Sequence, residues 1–237
     1  MEVDLMAENK TRPIFYTELS YLIGLVLLSF ATALLTVANF GQSMIAAPAY
    51  LLHLRLSEYW PFFSFGMASY LFQAVLLMAM ILLVRRFRIS YLFSFVTAVL
   101  YGFLLDGSLL LLSLIPTDHM VVRVILYILG LLVCATGVAL MFRSYVPPAV
   151  YELFVKELAA HFSIPVSRFK TAYDCSSCIL SIVLSFCFYG FLHFEGIHVG
   201  TVICAAINGT LIGLIGKWLD SHFRFSDGLG LRRLFER

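Results

Sequence analysis

Charged side chains are scarce in this chain, and their scarcity excludes an ordinary soluble fold. They account for 13% of the residues, against about 25% in a typical soluble domain. The formal net charge is only +2, which is too small to predict binding to nucleic acid. Hydrophobic residues make up 61% of the chain, and several apolar runs reach the ~20 residues that a helix needs to cross a membrane. The composition therefore predicts an all-α polytopic membrane protein.

The sequence also lacks the groupings of side chains on which enzymes and metal sites depend. It contains no Ser/His/Asp grouping, no zinc motif and no cluster of carboxylates. We therefore predict no enzymatic activity, no catalytic residue, no metal and no cofactor. The five cysteines are an odd number and lie within or beside apolar runs, which argues against a disulfide framework. Cys175 and Cys178 are close enough in sequence to share a soft ion, but no second pair follows, so small hydrophobes are the simpler interpretation.

Six apolar runs predict six membrane-spanning helices. The runs cover residues 18–39, 62–84, 89–115, 121–142, 172–193 and 198–218. The first run follows a polar stretch and has no small-residue cleavage site after it, so we expect a retained helix rather than a secretory signal. The expected segments are a cytoplasmic N-terminal tail (1–17), a first membrane repeat (18–116), a second membrane repeat (120–220) and a basic cytoplasmic tail (221–237).

The basic residues predict the orientation of the chain. If the N-terminus is cytoplasmic, 14 of the 16 Lys and Arg residues fall on the cytoplasmic side, and only Arg55 and Arg123 fall outside. This excess follows the positive-inside rule, which the opposite orientation would violate. We therefore expect a multi-pass protein of the bacterial cytoplasmic membrane with both termini in the cytoplasm.

Two segments of the first half resemble segments of the second half. "GLVLLSFATAL" (24–34) aligns without gaps on "GLLVCATGVAL" (130–140), and "LFSFVTAVLYGFL" (92–104) aligns on "VGTVICAAINGTL" (199–211). The offset between the halves is 106 residues in the first alignment and 107 in the second. Because each half has an odd number of spans, the second half would be inserted upside down relative to the first. The sequence thus predicts two inverted three-helix repeats.

Each half also contains a segment that is too polar to span and too apolar for a water-exposed loop. These are residues 40–60, with Pro48, and residues 144–162, with a proline pair. Both predict a short re-entrant or interfacial helix after the first span of the repeat. In the second segment, Val150, Phe154 and Leu158 would share an apolar face. Glu152 and Lys156 would form an i,i+4 ion pair on another face.

The order of these features resembles a known group of proteins. A long helix is followed by Gly41 and Ser43, a short helix that contains Pro48, a helix that ends in basic residues and a third helix with a glycine. Over residues 20–220 this resembles the YczE/YitT-like family of bacterial integral membrane proteins. The resemblance implies the same topology and offers no substrate. The second short segment departs from the pattern, since it keeps its prolines but lacks the glycine.

Polar, glycine and proline residues in or beside the spans are candidates for a substrate path. Asp106 lies inside the third span, where a carboxylate costs on the order of 2.5–3.5 kcal/mol. Either it couples ions or binds solute, or it lies near the outer headgroups, paired with Arg123 or capping a break at Gly107. Mid-span glycines permit close packing or local unwinding, and Asn208 predicts an interhelical hydrogen bond. The candidates are Gln42, Ser43, Pro48, Tyr101, Gly102, Asp106, Pro147, Pro148, Asn208 and Gly209.

Two functional hypotheses follow from these features. The first is a small transporter or permease that moves a small solute of unknown identity through the interface of the two inverted repeats. The alternative is a non-transporting membrane partner or assembly protein that supports an export or biosynthetic complex. The expected partners are membrane lipid, the solute and, through the small-residue face of "GTLIG" (209–213), a second copy of the chain.

Overall fold

The protein is a bundle of long helices with two short helices inside it. The computed structural model describes residues 13–190, 198–229 and 232, except for the side chains of residues 166, 167 and 171. The elements are β1 (Ile14–Tyr16), α1 (Thr17–Ala38), α2 (Ala47–Ser57), α3 (Phe65–Val84), α4 (Ile89–Leu112), α5 (Met120–Met141), α6 (Val150–His161), α7 (Val166–Tyr189), α8 (Val199–His222) and β2 (Arg224–Ser226).

The six predicted spans are confirmed as helices that are long and apolar enough to cross a membrane. These helices are α1, α3, α4, α5, α7 and α8. Their bounds agree with the sequence pattern within a few residues, except that α7 begins at Val166 rather than near residue 172. Outward-facing side chains such as Leu82 and Phe103 are 72% and 68% exposed. Such large apolar surfaces are typical of helices that face lipid.

Prolines and left-handed residues mark where these helices begin and end. Pro48 occupies the first turn of α2, and Pro165 immediately precedes α7. A proline there sacrifices no helical hydrogen bond, because the first N–H groups of a helix have no partner within it. Asn39 and Arg85 follow α1 and α3 in the left-handed conformation, with φ of 53° and 52°. This conformation turns the chain out of the helix.

Helices α1 and α5 form the centre of the bundle and run antiparallel. The most apolar window of each is 56% buried, against 22–33% for the other four long helices. At one end Ser20 Oγ donates a hydrogen bond to the Leu140 carbonyl (2.8 Å). At the opposite end Arg123 Nε donates to the Ala38 carbonyl (2.9 Å). These two contacts fix the register of the central pair.

Two contacts between the central helices are related to each other by a shift of 106 residues in the sequence. A methyl group placed on Gly24 would lie 2.8 Å from Met141 Cγ, and one on Gly130 would lie 2.9 Å from Leu35 Cδ2. Residues 24 and 130 differ by 106, as do residues 35 and 141. Part of the packing of the other helices recurs in the same way, although α3 packs along α4 and no comparable contact joins α7 to α8 among the described residues. Helix α1 contacts α4 as α5 contacts α8, and each short helix contacts a long helix of the other half, α2 against α7 and α6 against α3.

The two ends of the described chain pair with each other, which corrects one expectation. Strands β1 and β2 are parallel, with Ile14 opposite Arg224. The fold is therefore mostly helical rather than all-α, and residues 224–226, within the predicted C-terminal tail, form a strand. Glu18, in the first turn of α1, accepts hydrogen bonds from the Leu229 N–H (2.7 Å) and the Tyr145 hydroxyl (2.6 Å). These groups close the end of the bundle that carries both termini of the described chain.

Replacing Glu18 by Ala should release the C-terminal strand without unfolding the helices. The variant loses the acceptor for the Leu229 and Gly228 N–H groups, and each hydrogen bond to a carboxylate contributes about 1.5–3 kcal/mol. We expect at least tenfold faster amide hydrogen exchange at 224–229 and little change in α1. Glu58→Ala is the control, because it removes only an exposed ion pair with Arg55. Unchanged exchange in Glu18→Ala would show that β-pairing alone holds the strand.

Candidate functional site

An interior cavity of about 70 Å³ lies between the two halves of the chain. It is the meeting point of the central helices, both short helices and the middle of α3, α4 and α8. Its walls are partly apolar and partly polar. The lining residues are Leu28, Thr32, Leu35, Ser43, Ile45, Ala46, Gln73, Tyr101, Cys134, Val138, Ala149, Tyr151, Glu152 and Asn208.

The segment before α6 runs from one end of the bundle into its middle. Tyr145 lies at the end that carries the termini, where its hydroxyl bonds Glu18. Two residues further on, the Pro147 carbonyl accepts a hydrogen bond from Thr97 Oγ1 (3.4 Å), which lies in the third turn of α4. The Val150 N–H, at the start of α6, donates to Gln73 Oε1 (3.1 Å). Gln73 lies near the midpoint of α3, so α6 begins halfway along a long helix.

Helix α6 then returns to the end from which its segment came. Near its last turn, Glu157 accepts hydrogen bonds from Arg88 (3.1 Å) and from the Tyr91 hydroxyl (2.9 Å). Arg88 immediately precedes α4, at the end of the bundle that carries both termini. The contacts of Tyr145 and Glu157, before and late in α6, therefore lie at the same end of the bundle.

The segment before α2 follows the corresponding course from the opposite end. The Phe40 carbonyl, just after α1, accepts a hydrogen bond from the Gly200 N–H (2.9 Å) at the start of α8. Ser43 and Ala46 then line the interior cavity. Later in α2, His53 Nδ1 bonds the Phe63 carbonyl (2.8 Å), close to the start of α3. Both short helices thus begin beside one cavity and end at opposite ends of the bundle.

Several backbone donors at the start of the two short helices already have partners. In α2, the N–H groups of Ala46 and Ala47 donate to the Ser43 carbonyl at 3.0 and 2.9 Å. In α6, the Val150 N–H donates to Gln73. A helix N-terminus attracts anions only through N–H groups that are free to bond them. The donors identified at these two helix starts are therefore not free for an anion in the cavity.

Glu152 lies in the wall of the cavity, although the sequence pattern predicts a surface ion pair with Lys156. Its Oε2 is buried and has no hydrogen-bond partner. Burial raises the pKa of Glu152 above its ordinary value of 4.5, and the positive charge of Lys170 lowers it in part. Val150 and Leu158 of the predicted apolar face are buried, but so are Leu153 and Val155, so the buried face of α6 is wider than predicted. The Glu152 carboxylate therefore faces the interior of the bundle.

Two further polar groups face the cavity, one from each half of the chain. Tyr101 in α4 donates its hydroxyl proton to Thr32 Oγ1 (2.7 Å). Asn208 in α8 points its Nδ2 toward Cys134 Sγ (4.0 Å), and its Oδ1 has no partner. The predicted interhelical hydrogen bond of Asn208 is thus a weak contact with a thiol. Tyr101 and Asn208 are equivalent positions in the alignment with an offset of 107.

The structure brings some of the predicted path residues to the cavity and places others elsewhere. Ser43, Tyr101 and Asn208 line it. Gln42 is 2% exposed and donates through Nε2 to Thr36 Oγ1 (2.7 Å), while its Oε1 has no partner. The three prolines shape the short segments: Pro48 is buried in the first turn of α2, Pro147 bonds Thr97, and Pro148 directly precedes the residue that caps α6.

The two predicted mid-span glycines differ in their surroundings. Gly102 is buried, and a methyl group added to it would lie 2.8 Å from the Gly66 carbonyl oxygen. Gly209 is exposed and has no atom within 4 Å of the position of a Cβ. Close packing is therefore confirmed for Gly102 and wrong for Gly209 within this chain. Neither glycine lines the cavity.

Asp106 is hydrogen-bonded to the start of α3 and does not line the cavity. Its Oδ2 accepts a hydrogen bond from Ser64 Oγ (2.5 Å), and its Oδ1 accepts one from the Gly66 N–H (2.8 Å). Ser64 Oγ in turn accepts from the Met67 N–H (3.0 Å). The suggested pairing with Arg123 is wrong, because that guanidinium bonds the carbonyls at the end of α1. A negative charge at a helix N-terminus is stabilising.

Glu152 and Gln73 are the residues of the site that sequence reasoning missed. Gln73 is fully buried in the middle of an apolar span, and an uncharged polar residue there is a signal for an internal hydrogen bond. No comparable signal exists for Glu152, because a carboxylate four residues before a lysine is typical of a solvated helix face. Only the packing of α6 among α3, α4 and α7 shows its true environment.

These features define a class: a mostly helical protein with six apolar helices of membrane-spanning length, whose two short helices converge on one interior cavity with polar groups in its wall. The profile of a family described as "Family of unknown function (DUF6198)" matches residues 15–217. The chain belongs to this family. No curated protein and no solved structure matches the chain.

Proposed function

We propose that the protein is a small membrane transporter that moves a small solute through the interface of two inverted repeats. The convergence of both short helices on one cavity, from opposite ends of the bundle, is the observation that carries this proposal. Non-spanning backbone at membrane depth requires burial in protein or a water-filled cavity. Sites near the midplane between inverted repeats, beside broken helices, are typical of secondary transporters. Helices α2 and α6 would be the re-entrant elements of the two repeats.

The paired contacts of the central helices support the inverted repeats. The Gly24–Met141 contact becomes the Gly130–Leu35 contact when the halves are exchanged with an offset of 106. The antiparallel course of α1 and α5 is what a twofold axis in the membrane plane would produce. Several contacts of one half thus recur in the other. In this proposal the bundle exchanges two arrangements, one open to each side.

The placement in the membrane is part of the same proposal. The end at which the described chain begins and ends also carries most of the described Lys and Arg residues, so it would face the cytoplasm of a bacterial cell. Lipid would cover the apolar outer faces, and the resemblance to the YczE/YitT-like family would extend to this topology. The exposed glycines of α8, Gly209 and Gly213, would be available for contact with a second copy.

Cysteine labelling tests the inversion and the access to the cavity together. In a cysteine-free background, Glu58→Cys and Ala160→Cys place thiols at exposed positions beside the ends of α2 and α6. With a membrane-impermeant reagent, we expect the first to react only in intact cells and the second only in inside-out vesicles. Ala149→Cys, in the cavity wall, should react slowly from both sides, because the cavity opens alternately.

Each alternative outcome has a distinct meaning. If Glu58→Cys and Ala160→Cys react from the same side, the halves are not inverted and the proposal is wrong. If those two label as expected but Ala149→Cys reacts from neither side, the cavity is closed. The non-transporting assembly protein would then be the better explanation. An exposed cysteine at Asp118 serves as a control for the opposite end of the bundle, and it should label like Glu58→Cys.

A further inference from the structure

We propose that the central cavity binds a small cation of the ammonium class, with Glu152 as its counter-ion. This names the solute class of the proposed transporter and so builds on the proposed function. The inference comes from a count of hydrogen-bond donors and acceptors around the cavity. Glu152 Oε2 and Asn208 Oδ1 are buried acceptors without a partner. Both residues line the cavity, so a ligand there is recognised if it donates hydrogen bonds.

Several donors near the cavity are bound by the protein itself, whereas the buried Tyr151 hydroxyl has no hydrogen-bond partner. At the starts of the short helices, the N–H groups with an identified partner donate to Ser43 and Gln73. The Tyr101 hydroxyl donates to Thr32 Oγ1, whose own proton goes to the Leu28 carbonyl (3.0 Å). An anion would therefore meet a carboxylate and few free donors. A cation meets two acceptors and the aromatic rings of Tyr101 and Tyr151, which also attract positive charge.

No cation of the protein is bound directly to Glu152 among the described ion pairs. The positive charge that acts on Glu152 belongs to Lys170, whose Nζ is paired with Asp174 at 3.5 Å on the same helix. The groups that interact with Glu152 are Lys170, Asp174, Tyr101, Cys134, Tyr151 and Tyr173. A buried carboxylate without a bound partner is neutralised by a proton or by a ligand cation.

The size of the cavity restricts the ligand. About 70 Å³ holds a few water molecules, since each needs roughly 10–15 Å³ of such volume. Ammonium or a short primary amine is of this size, and a large organic cation is not. The apolar wall residues Leu28, Leu35 and Val138 suit a short alkyl group.

Proton and cation would compete for one carboxylate, which gives the transporter a coupling mechanism. The protonated Glu152 must release its proton to the solvent before the ammonium group can bind to the carboxylate. Each binding event therefore releases one proton when the pH lies below the pKa of Glu152 and none when it lies well above. A site that must be occupied by one or the other cation exchanges them across the membrane.

Binding to the purified full-length protein in detergent tests the proposal without requiring transport. Methylammonium chloride is added in weakly buffered solution with a pH indicator and followed by calorimetry at several pH values. We expect binding with release of up to one proton per chain, and less release as the pH rises. Glu152→Gln should bind at least tenfold more weakly and release no proton, and Glu152→Asp should retain the release. Glu157→Gln, on the same helix but bonded to Arg88 and Tyr91, should behave as wild type.

The controls separate this inference from the proposed function. Equal binding by wild type and Glu152→Gln, or binding of sodium formate in place of methylammonium, would overturn the cation site. Tetramethylammonium chloride should not bind, because it is too large and has no N–H donor; tight binding of it would contradict the donor count. Transport is supported if proteoliposomes with the wild-type protein take up more labelled methylammonium than proteoliposomes with Glu152→Gln. Glu152-dependent binding without uptake supports the cation site and refutes the transporter.

Discussion

Gly66→Ala should destabilise the protein more than any other single methyl group added to its helices. Gly66 is buried in the first turn of α3, where that helix crosses α4. A Cβ there would collide with the backbone oxygen of Gly102 and lie 2.7 Å from Asp106 Cγ. Neither can move away easily, since one is helical backbone and the other bonds the start of α3. Overpacking typically costs about 1–3 kcal/mol, and we expect the upper end or more.

The measurement is the midpoint of thermal unfolding in detergent, followed by size-exclusion chromatography. For a chain of this size, about 3 kcal/mol corresponds to a decrease of roughly 6–12 °C. Gly107→Ala is the matched control, because it lies on α4, one residue beyond Asp106, and has no atom within 4 Å of the added methyl group. Alanine there should be neutral or stabilising by up to about 1 kcal/mol. An equal midpoint of thermal unfolding in the two variants would mean that α3 and α4 do not cross at Gly66.

Asp106→Ala should also cause a large loss of stability, through the start of α3. The substitution removes the acceptor for Ser64 Oγ and for the Gly66 N–H. Hydrogen bonds to a charged group contribute about 1.5–3 kcal/mol each, and a buried donor left without a partner costs a similar amount. We therefore expect a loss of about 2–4 kcal/mol, seen as a lower midpoint of thermal unfolding.

Two further variants separate a structural role of Asp106 from a role in transport. Asp106→Asn keeps one oxygen acceptor for the Gly66 N–H, so it should lose about half as much stability and bind methylammonium as wild type does. Asp118→Ala removes an exposed carboxylate near the same end of the bundle and should have little effect. If Asp106→Asn were stable but did not bind methylammonium, Asp106 would belong to the solute path after all.

The spans were predictable because a membrane helix carries its signal locally. A run of about twenty apolar residues is sufficient to define one, and all six runs form helices. The ends were less predictable. Helix α7 begins at Val166 within a polar stretch, because Pro165 and the contact with α6 favour a helix there. Pairing of β1 with β2 joins residues 14 and 224, and such a distant contact leaves no periodic signal in either short segment.

The sequence alone determined the class of this protein, the number of its long helices and the positions of the two short segments. It also located three residues of the cavity wall, because polar groups at Ser43, Tyr101 and Asn208 interrupt otherwise apolar surroundings. Only the tertiary structure decided the roles of the two carboxylates. Asp106 bonds a neighbouring helix start, and Glu152 faces the interior. The physical reason is that helical periodicity shows which residues share a face. Whether that face contacts lipid, water or another helix depends on how many helices surround it.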